Sequence, residues 1–157
     1  MMQCNDICIS FAVESDIDGI YRVAEKSSAN PWTKPQLEEE LLYDFAVLLT
    51  AKKDGEVLGF CDLHITAPEC HLNEIAVAAP FRRRKAGTGL LDFAIAESQK
   101  RGCGYMTLEV RESNSAAVQF YVKRGFKEEG KRSGFYRNPD EDAIAMRLDY
   151  TDDYTGN

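Results

Sequence analysis

No apolar run in these 157 residues approaches the ~20 that a bilayer-crossing helix needs, so a transmembrane helix is excluded. The opening MMQCNDICIS lacks both a basic n-region and a long apolar h-region; secretion is not expected, and the reading is cytoplasmic. Positive charge is in deficit. The 19 basic and 26 acidic residues leave a formal charge of -7, which argues against a general nucleic-acid binder and favours a cationic partner. No C-x-x-C pair occurs and the cysteines are odd in number (Cys4, Cys8, Cys61, Cys70, Cys103), so reduced, buried or half-buried thiols are expected. Gly87-Thr88-Gly89 lacks the third glycine of a dinucleotide fingerprint, and no Gly-Lys-Ser/Thr follows a glycine loop. Repeats, linkers and low-complexity stretches are also missing. What remains is 44% hydrophobic, enough apolar residue to build one globular domain over 1–150, with a polar tail at 151–157.

One cluster invites a metal reading. Cys61, His64, Cys70 and His71 bring four zinc-type donors into a short span. Positions 61 and 64 differ by an odd number, so on one strand they point to opposite faces. No metal is expected, and the histidines read as ordinary strand residues.

Ile7, Ile9 and Phe11 alternate as a first strand, and Ser15 or Asp16 can cap a helix through Ile17, Ile20, Tyr21, Val23 and Ala24. Asn30-Pro31-Trp32 breaks that helix. Thr33 with Gln36 forms a capping box for a second one, with Leu37, Leu41 and Leu42 on one face. Ala46–Ala51 and Val57–Ile65 flank an Asp54-Gly55 turn and read as a hairpin; Leu72–Val77 is a fourth strand. A helix follows over Gly87–Lys100, ended by Gly102, then a strand at Tyr105–Val110. Asn114 or Ser115 opens a helix closed by Gly125, and Phe126–Arg132 and Ala143–Tyr150 are strands joined across Asn138-Pro139-Asp140. The order βαα-βββ-α-β-α-ββ predicts a mixed, mostly antiparallel sheet of about seven strands with helices on both faces, an α+β class.

The most informative stretch is Ile75-Ala76-Val77 followed by Arg82-Arg83-Arg84-Lys85-Ala86-Gly87. There a strand ends and a helix begins amid strong positive charge. A helix start offers unpaired N–H groups and the positive end of the dipole, which suit a pyrophosphate. The alternative is a solvated charge run before a surface helix.

This stretch resembles the GNAT superfamily of N-acetyltransferases, whose coenzyme A motif is Arg/Gln-x-x-Gly-x-Gly/Ala. Lys85 stands where the first glycine belongs, and lysine resists the positive φ that a glycine would supply. Leu108-Glu109-Val110-Arg111-Glu112-Ser113-Asn114-Ser115-Ala116-Ala117 and Phe120-Tyr121-Val122-Lys123-Arg124-Gly125-Phe126 are similar to segments of the RimI type, the ribosomal-protein alanine N-acetyltransferases. Pro31-Trp32 and Asp142–Met146 also fit, so the resemblance covers nearly the whole chain.

The resemblance implies a sheet whose fourth and fifth strands splay apart to take acetyl-CoA as co-substrate. It implies that Ile75, Ala76 and Val77 hold the pantetheine arm by backbone. Arg82, Arg83, Arg84, Lys85, Ala86, Gly87 and Thr88 would hold the phosphates, and Asn114 would add a side-chain contact. Glu109 matches the proposed general base, Tyr121 the proposed general acid, and Glu74 is the alternative base. It further implies a protein or peptide N-terminus as acceptor, a ribosomal protein's terminal alanine, with lysine side chains, small amines or a silent acyl-CoA-binding module as alternatives. No nucleic-acid or membrane partner is expected, and the chain would be a monomer or weak homodimer.

The residue types suit the chemistry. Transfer from a thioester needs a neutral amine, a base to take its proton and an acid for the leaving thiolate; no enzyme nucleophile is needed. Neutralising an α-amine (pKa near 8) at pH 7 costs roughly 1 kcal/mol, against roughly 5 for lysine. An α-amine is the easier acceptor for a weakly basic carboxylate.

Overall fold

A computed structural model describes residues 7–28, 30–81 and 85–151. The tail beyond Thr151 and the Arg82–Arg84 run therefore lie outside the described residues. Seven strands among the described residues form one sheet: β1 (Cys8–Phe11), β2 (Ala46–Lys53), β3 (Glu56–Thr66), β4 (Glu69–Val77), β5 (Tyr105–Arg111), β6 (Lys127–Tyr136) and β7 (Glu141–Asp149). Their order is β1-β2-β3-β4-β5-β7-β6, antiparallel throughout except for the β4–β5 pair. The expected mixed sheet is what forms.

Helices α1 (Ile17–Ser27) and α2 (Lys34–Glu40) cover one face; α3 (Ala86–Lys100) and α4 (Ser115–Lys123) cover the other. On α1, Ile17, Ile20, Val23 and Ala24 recur at helical spacing and pack with Leu37, Leu48 and Phe60. On α3, Leu90, Leu91, Ala94 and Ile95 seal the opposite core, each leucine contributing about 1.5–3 kcal/mol by burial. Gly102 (φ 91°) and Gly125 (φ 100°) end α3 and α4 in the left-handed region that glycine adopts freely.

Local chemistry departs from expectation at two helix ends. Ser15 and Asp16 belong to a 3-10 turn (Glu14–Asp16) ahead of α1, and Asp16 makes no side-chain cap bond to that helix. Its Oδ2 instead accepts from Val13 N–H (2.9 Å), and its Oδ1 pairs with Lys52 Nζ (2.6 Å). The Thr33–Gln36 capping box forms as expected: Gln36 N–H donates to Thr33 Oγ1 (3.2 Å) and Thr33 N–H to Gln36 Oε1 (2.8 Å). The helix it starts ends at Glu40, however, and Leu42 is 79% exposed. Leu37 and Leu41 share a face at i, i+4; a fifth step turns Leu42 away from it.

What shapes the site is a slip in β4. Its register against β3 runs Asp62↔Glu74 and then Leu63↔Leu72, so Asn73 is an inserted residue, a β-bulge. On the other side, β4 pairs with β5 only from Glu69↔Tyr105 to Leu72↔Leu108. Beyond that point the two strands part.

Candidate active site

The parting of β4 and β5 opens a notch through the sheet. On β4, Ala78 N–H bonds Leu58 O (2.7 Å) toward β3, so strand alternation turns the amides of Ile75 and Val77 toward the notch. On the α3–α4 side the notch widens into a recess of about 360 Å³ lined by Ile75, Val77, Lys85, Gly87, Thr88 and Tyr121. The start of α3 opens onto it. Lys85 stands at the N-cap with φ 68°, so the backbone takes the glycine-like turn although the residue is lysine. Holding a non-glycine residue there costs roughly 1–2 kcal/mol. The first-turn amides of Ala86, Gly87 and Thr88 precede the first helical bond, from Gly89 N–H to Lys85 O (2.9 Å). That is a phosphate-sized donor set.

Across the sheet lies a second cleft of about 370 Å³, which holds Glu74, Glu109, Asn114, Tyr121 and Tyr136 together. Tyr121 and Ile75 line both spaces and so stand between them. Tyr121 comes from α4, its ring edge-on to Phe126 (5.4 Å) and buried at 7% exposure. Burial pushes its phenol well above the usual range, so it stays protonated. Asn114 caps α4, its Oδ1 accepting from Ala117 N–H (3.1 Å). That bond occupies its oxygen and fixes the side chain at the notch.

The two candidate carboxylates differ in electrostatics. Glu109 Oε1 lies 3.0 Å from His71 Nε2, and Oε2 lies 3.5 Å from Arg132 Nε. The His71 bond, with His71 and Arg132 charge, holds its carboxyl below the ordinary value. Glu74, at the bulge, is pushed up to about 7 by burial. The mouth of the cleft is tied across. Asn30 Nδ2 donates to Arg137 O (3.0 Å) and Asn138 Nδ2 to Asn30 Oδ1 (3.1 Å), linking the α1–α2 loop to the β6–β7 turn. Arg111 anchors that turn through Pro139 O and Arg137 O (2.9 Å each).

Ile75, Ala76, Val77, Lys85, Ala86, Gly87, Thr88, Asn114, Glu74, Glu109 and Tyr121 thus all gather around one notch. Arg82, Arg83 and Arg84 lie outside the described residues. The four zinc-type donors do not meet: Cys61 and Cys70 are buried in the α3–α4 core, while His64 and His71 bond Glu40 and Glu109 on the opposite face. A trio that the spacing did not suggest does meet, with ligand atoms of Glu40, Asp62 and His64 within 4.8 Å of one another. Asp62 is pushed up to about 9, first by burial and then by Glu40, and so is held protonated. The partners His71, Arg132, Tyr136 and Asn30 were not foreseen. Only Glu69-x-His71 and Thr107-x-Glu109, two alternating polar pairs on strands, carried a signal for any of them.

Residues 17–126 match the acetyltransferase (GNAT) family. The chain belongs to it, and is an acetyl-CoA-dependent N-acetyltransferase. Among its relatives is the [ribosomal protein bS18]-alanine N-acetyltransferase of Escherichia coli (strain K12), 32% identical over 145 residues, 89% of this chain and 95% of that protein. The enzyme of the same name from Salmonella typhimurium is 33% identical over 143 residues, with the same coverage. The crystal structure of the Escherichia coli ribosomal-protein-S18-alanine N-acetyltransferase superposes with a TM-score of 0.83 at 29% identity, over 92% of this chain and 94% of that one. The RimI-type resemblance read from the sequence is borne out.

Proposed function

We propose that this chain acetylates the α-amine of a protein N-terminus, with the terminal alanine of ribosomal protein bS18 as the acceptor. The observation that carries the reading is the pairing of an ionised carboxylate, Glu109, with a protonated phenol, Tyr121, in one cleft. Similarity to enzymes named for that acceptor over 89% of the chain supports the target. The tied mouth favours a chain end entering end-on, and the net charge of -7 favours a basic one.

The acceptor arrives as an ammonium and is held against Glu109, which takes one proton directly or through water. The amine nitrogen then attacks the thioester carbon; the C–N bond forms, the C–S bond breaks, and the second amine proton passes through water to restore the Tyr121 phenol once that phenol has protonated the sulfur. Tyr121 O–H hydrogen-bonds the sulfur as its charge grows and supplies its proton. One proton is released per acetyl transferred. The first-turn amides of α3 and Lys85 would hold the pyrophosphate, joined by the Arg82–Arg84 run, while Ile75 and Val77 would fix the pantetheine arm and Asn114 would contact the coenzyme.

A second reading has its own observation. Glu74, pushed up to about 7, sits where a general base works best near neutral pH. Glu109→Gln and Glu74→Gln separate the two: the variant lacking the base loses about 10²-fold or more in kcat while acetyl-CoA still binds. The acceptor is tested by thiol release with an alanine-leading, arginine-bearing peptide and the same peptide α-blocked with an internal lysine. Equal rates on the blocked peptide would overturn the N-terminal reading.

A further inference from the structure

We propose that Glu109 and His71 share one proton and act as a single basic unit, locked in that state by Thr107 and Glu69. The inference rests on Glu109 as the group that takes the amine proton. His71 contacts no substrate; it is a positioning residue that acts through Glu109.

The placement follows from the parallel register. His71 faces Thr107 across the β4–β5 pair, and Glu69 faces Tyr105 two residues earlier. Period-two alternation therefore puts Glu69, His71, Thr107 and Glu109 on one face of the sheet. Thr107 Oγ1 lies 2.6 Å from Glu69 Oε2, His71 Nδ1 lies 2.7 Å from Thr107 Oγ1, and His71 Nε2 lies 3.0 Å from Glu109 Oε1. Side-chain exposure rises along the row from 12% at Glu109 through 29% at His71 to 38% at Glu69.

Counting hydrogens fixes the protonation. Thr107 Oγ1 donates to Glu69 Oε2, so its single hydroxyl proton is committed there. Thr107 Oγ1 must then accept from His71 Nδ1–H. A neutral imidazole carries one N–H, so Nε2 would present a lone pair to the Glu109 carboxylate. Two acceptors at 3.0 Å need a proton between them. The row is therefore fully bonded only with one proton more than neutral imidazole provides, shared between His71 and Glu109.

The same count describes turnover. When the pair has lost its shared proton, Glu109 faces an Nε2 lone pair and is primed to take the proton of the acceptor ammonium. The amine N–H bond breaks, and that proton comes to lie between Oε1 and Nε2. Its release to water before the next cycle is the net proton of the reaction. Other titratable and charged groups face the unit: His64 of β3, bonded to Glu40 of α2, stands opposite His71 in register, Glu74 of β4 shares the cleft, Arg132 and Tyr136 come from β6, and Arg147 of β7 stands opposite Thr107. Arg132 reaches Oε2 and leaves the Oε1–Nε2 contact to the shared proton.

The test is the pH dependence of kcat in three variants whose acetyl-CoA affinity and melting temperature are checked first. In the wild type, the acid limb is loss of the shared proton from the pair, a step distinct from protonation of the Glu109 carboxyl that His71 holds low, and it lies above that of an ordinary carboxylate. His71→Gln leaves Glu109 to titrate alone, so the limb moves down by at least one pH unit and the plateau falls about tenfold. Thr107→Val keeps both partners but unlocks Nδ1, letting neutral His71 donate from Nε2, and moves the limb the same way. A limb unmoved in both, with Glu109→Gln inactive, refutes the shared proton and leaves Glu109 as the base. Full activity of Glu109→Gln refutes the base instead. Should the variants not fold, the nitrogen shifts of wild-type His71 decide, because a neutral imidazole protonated at Nε2 rather than Nδ1 contradicts the lock.

Discussion

Glu74→Gln replaces a carboxyl with a neutral group of the same shape at a half-buried bulge, and its effect should depend on pH. Burial lifts the Glu74 pKa from 4.5 to about 7. At about 1.36 kcal/mol per unit, the folded state bears up to roughly 3 kcal/mol of penalty once the carboxyl is ionised. The folded protein binds this proton more tightly than the unfolded chain does. The contribution to stability is therefore complete below pH 4.5, declines as pH rises, and is lost above 7. Relaxation and water entry reduce the figure, leaving about 1–3 kcal/mol. Glutamine has nothing to titrate, so the variant should gain that amount over wild type at pH 8 relative to pH 5. For a domain of this size, that is a relative rise of about 2–10 °C in melting temperature. Paired thermal or urea melts at the two pH values measure it; Asp62, also raised, is present in both proteins, and the part of its shift that Glu74 charge supplies is counted with the Glu74 effect. A variant-minus-wild-type difference equal at both pH values refutes the half-buried, pH-7 carboxyl, and with it the case for Glu74 as the base.

Tyr121→Phe should lower kcat about 10²-fold or more with little change in acetyl-CoA affinity, read by steady-state thiol release and calorimetry. Lys85→Gly should raise stability by about 1 kcal/mol, since φ 68° costs glycine nothing, and urea denaturation reads it. Replacing Arg83 and Arg84 by alanine should weaken acetyl-CoA binding, more at low salt than at high; unchanged affinity by calorimetry would mean the run is only solvated surface.

The legible parts of this molecule were those written in local chemistry. The Thr33–Gln36 box, the Asp54-Gly55 turn and the apolar spacing of α3 each state their own structure within a few residues. The candidate site residues stood in the Ile75–Val77 and Glu109–Tyr121 stretches because they fitted a family pattern, not because spacing alone joined them. The edge strand β6 was read only to Arg132, although it runs to Tyr136. Almost every residue in it is exposed, so no apolar alternation marks it, and two register shifts against β7 break what rhythm there is. The start of β4 at Glu69 was missed for a similar reason, since charged and polar residues after Pro68 read as loop. Those are the residues that hold Glu109.

Asn73 shows why such a site resists sequence reading even when its residues are found. Strict alternation from Leu72 would put Glu74 on the α3–α4 core face and Ile75 on the other. The inserted residue reverses that order: Ile75 and Val77 pack toward the α3–α4 core, while Ala76 joins the α1–α2 core. The same irregularity falls where pairing with β5 stops, so one residue re-aims the Ile75 and Val77 amides at the point where β4 and β5 part. Glu74 is left at the bend, in the cleft with Glu109 and Tyr121 rather than in the core. The notch is thus set by a shift in register, one inserted residue in β4, rather than by a motif.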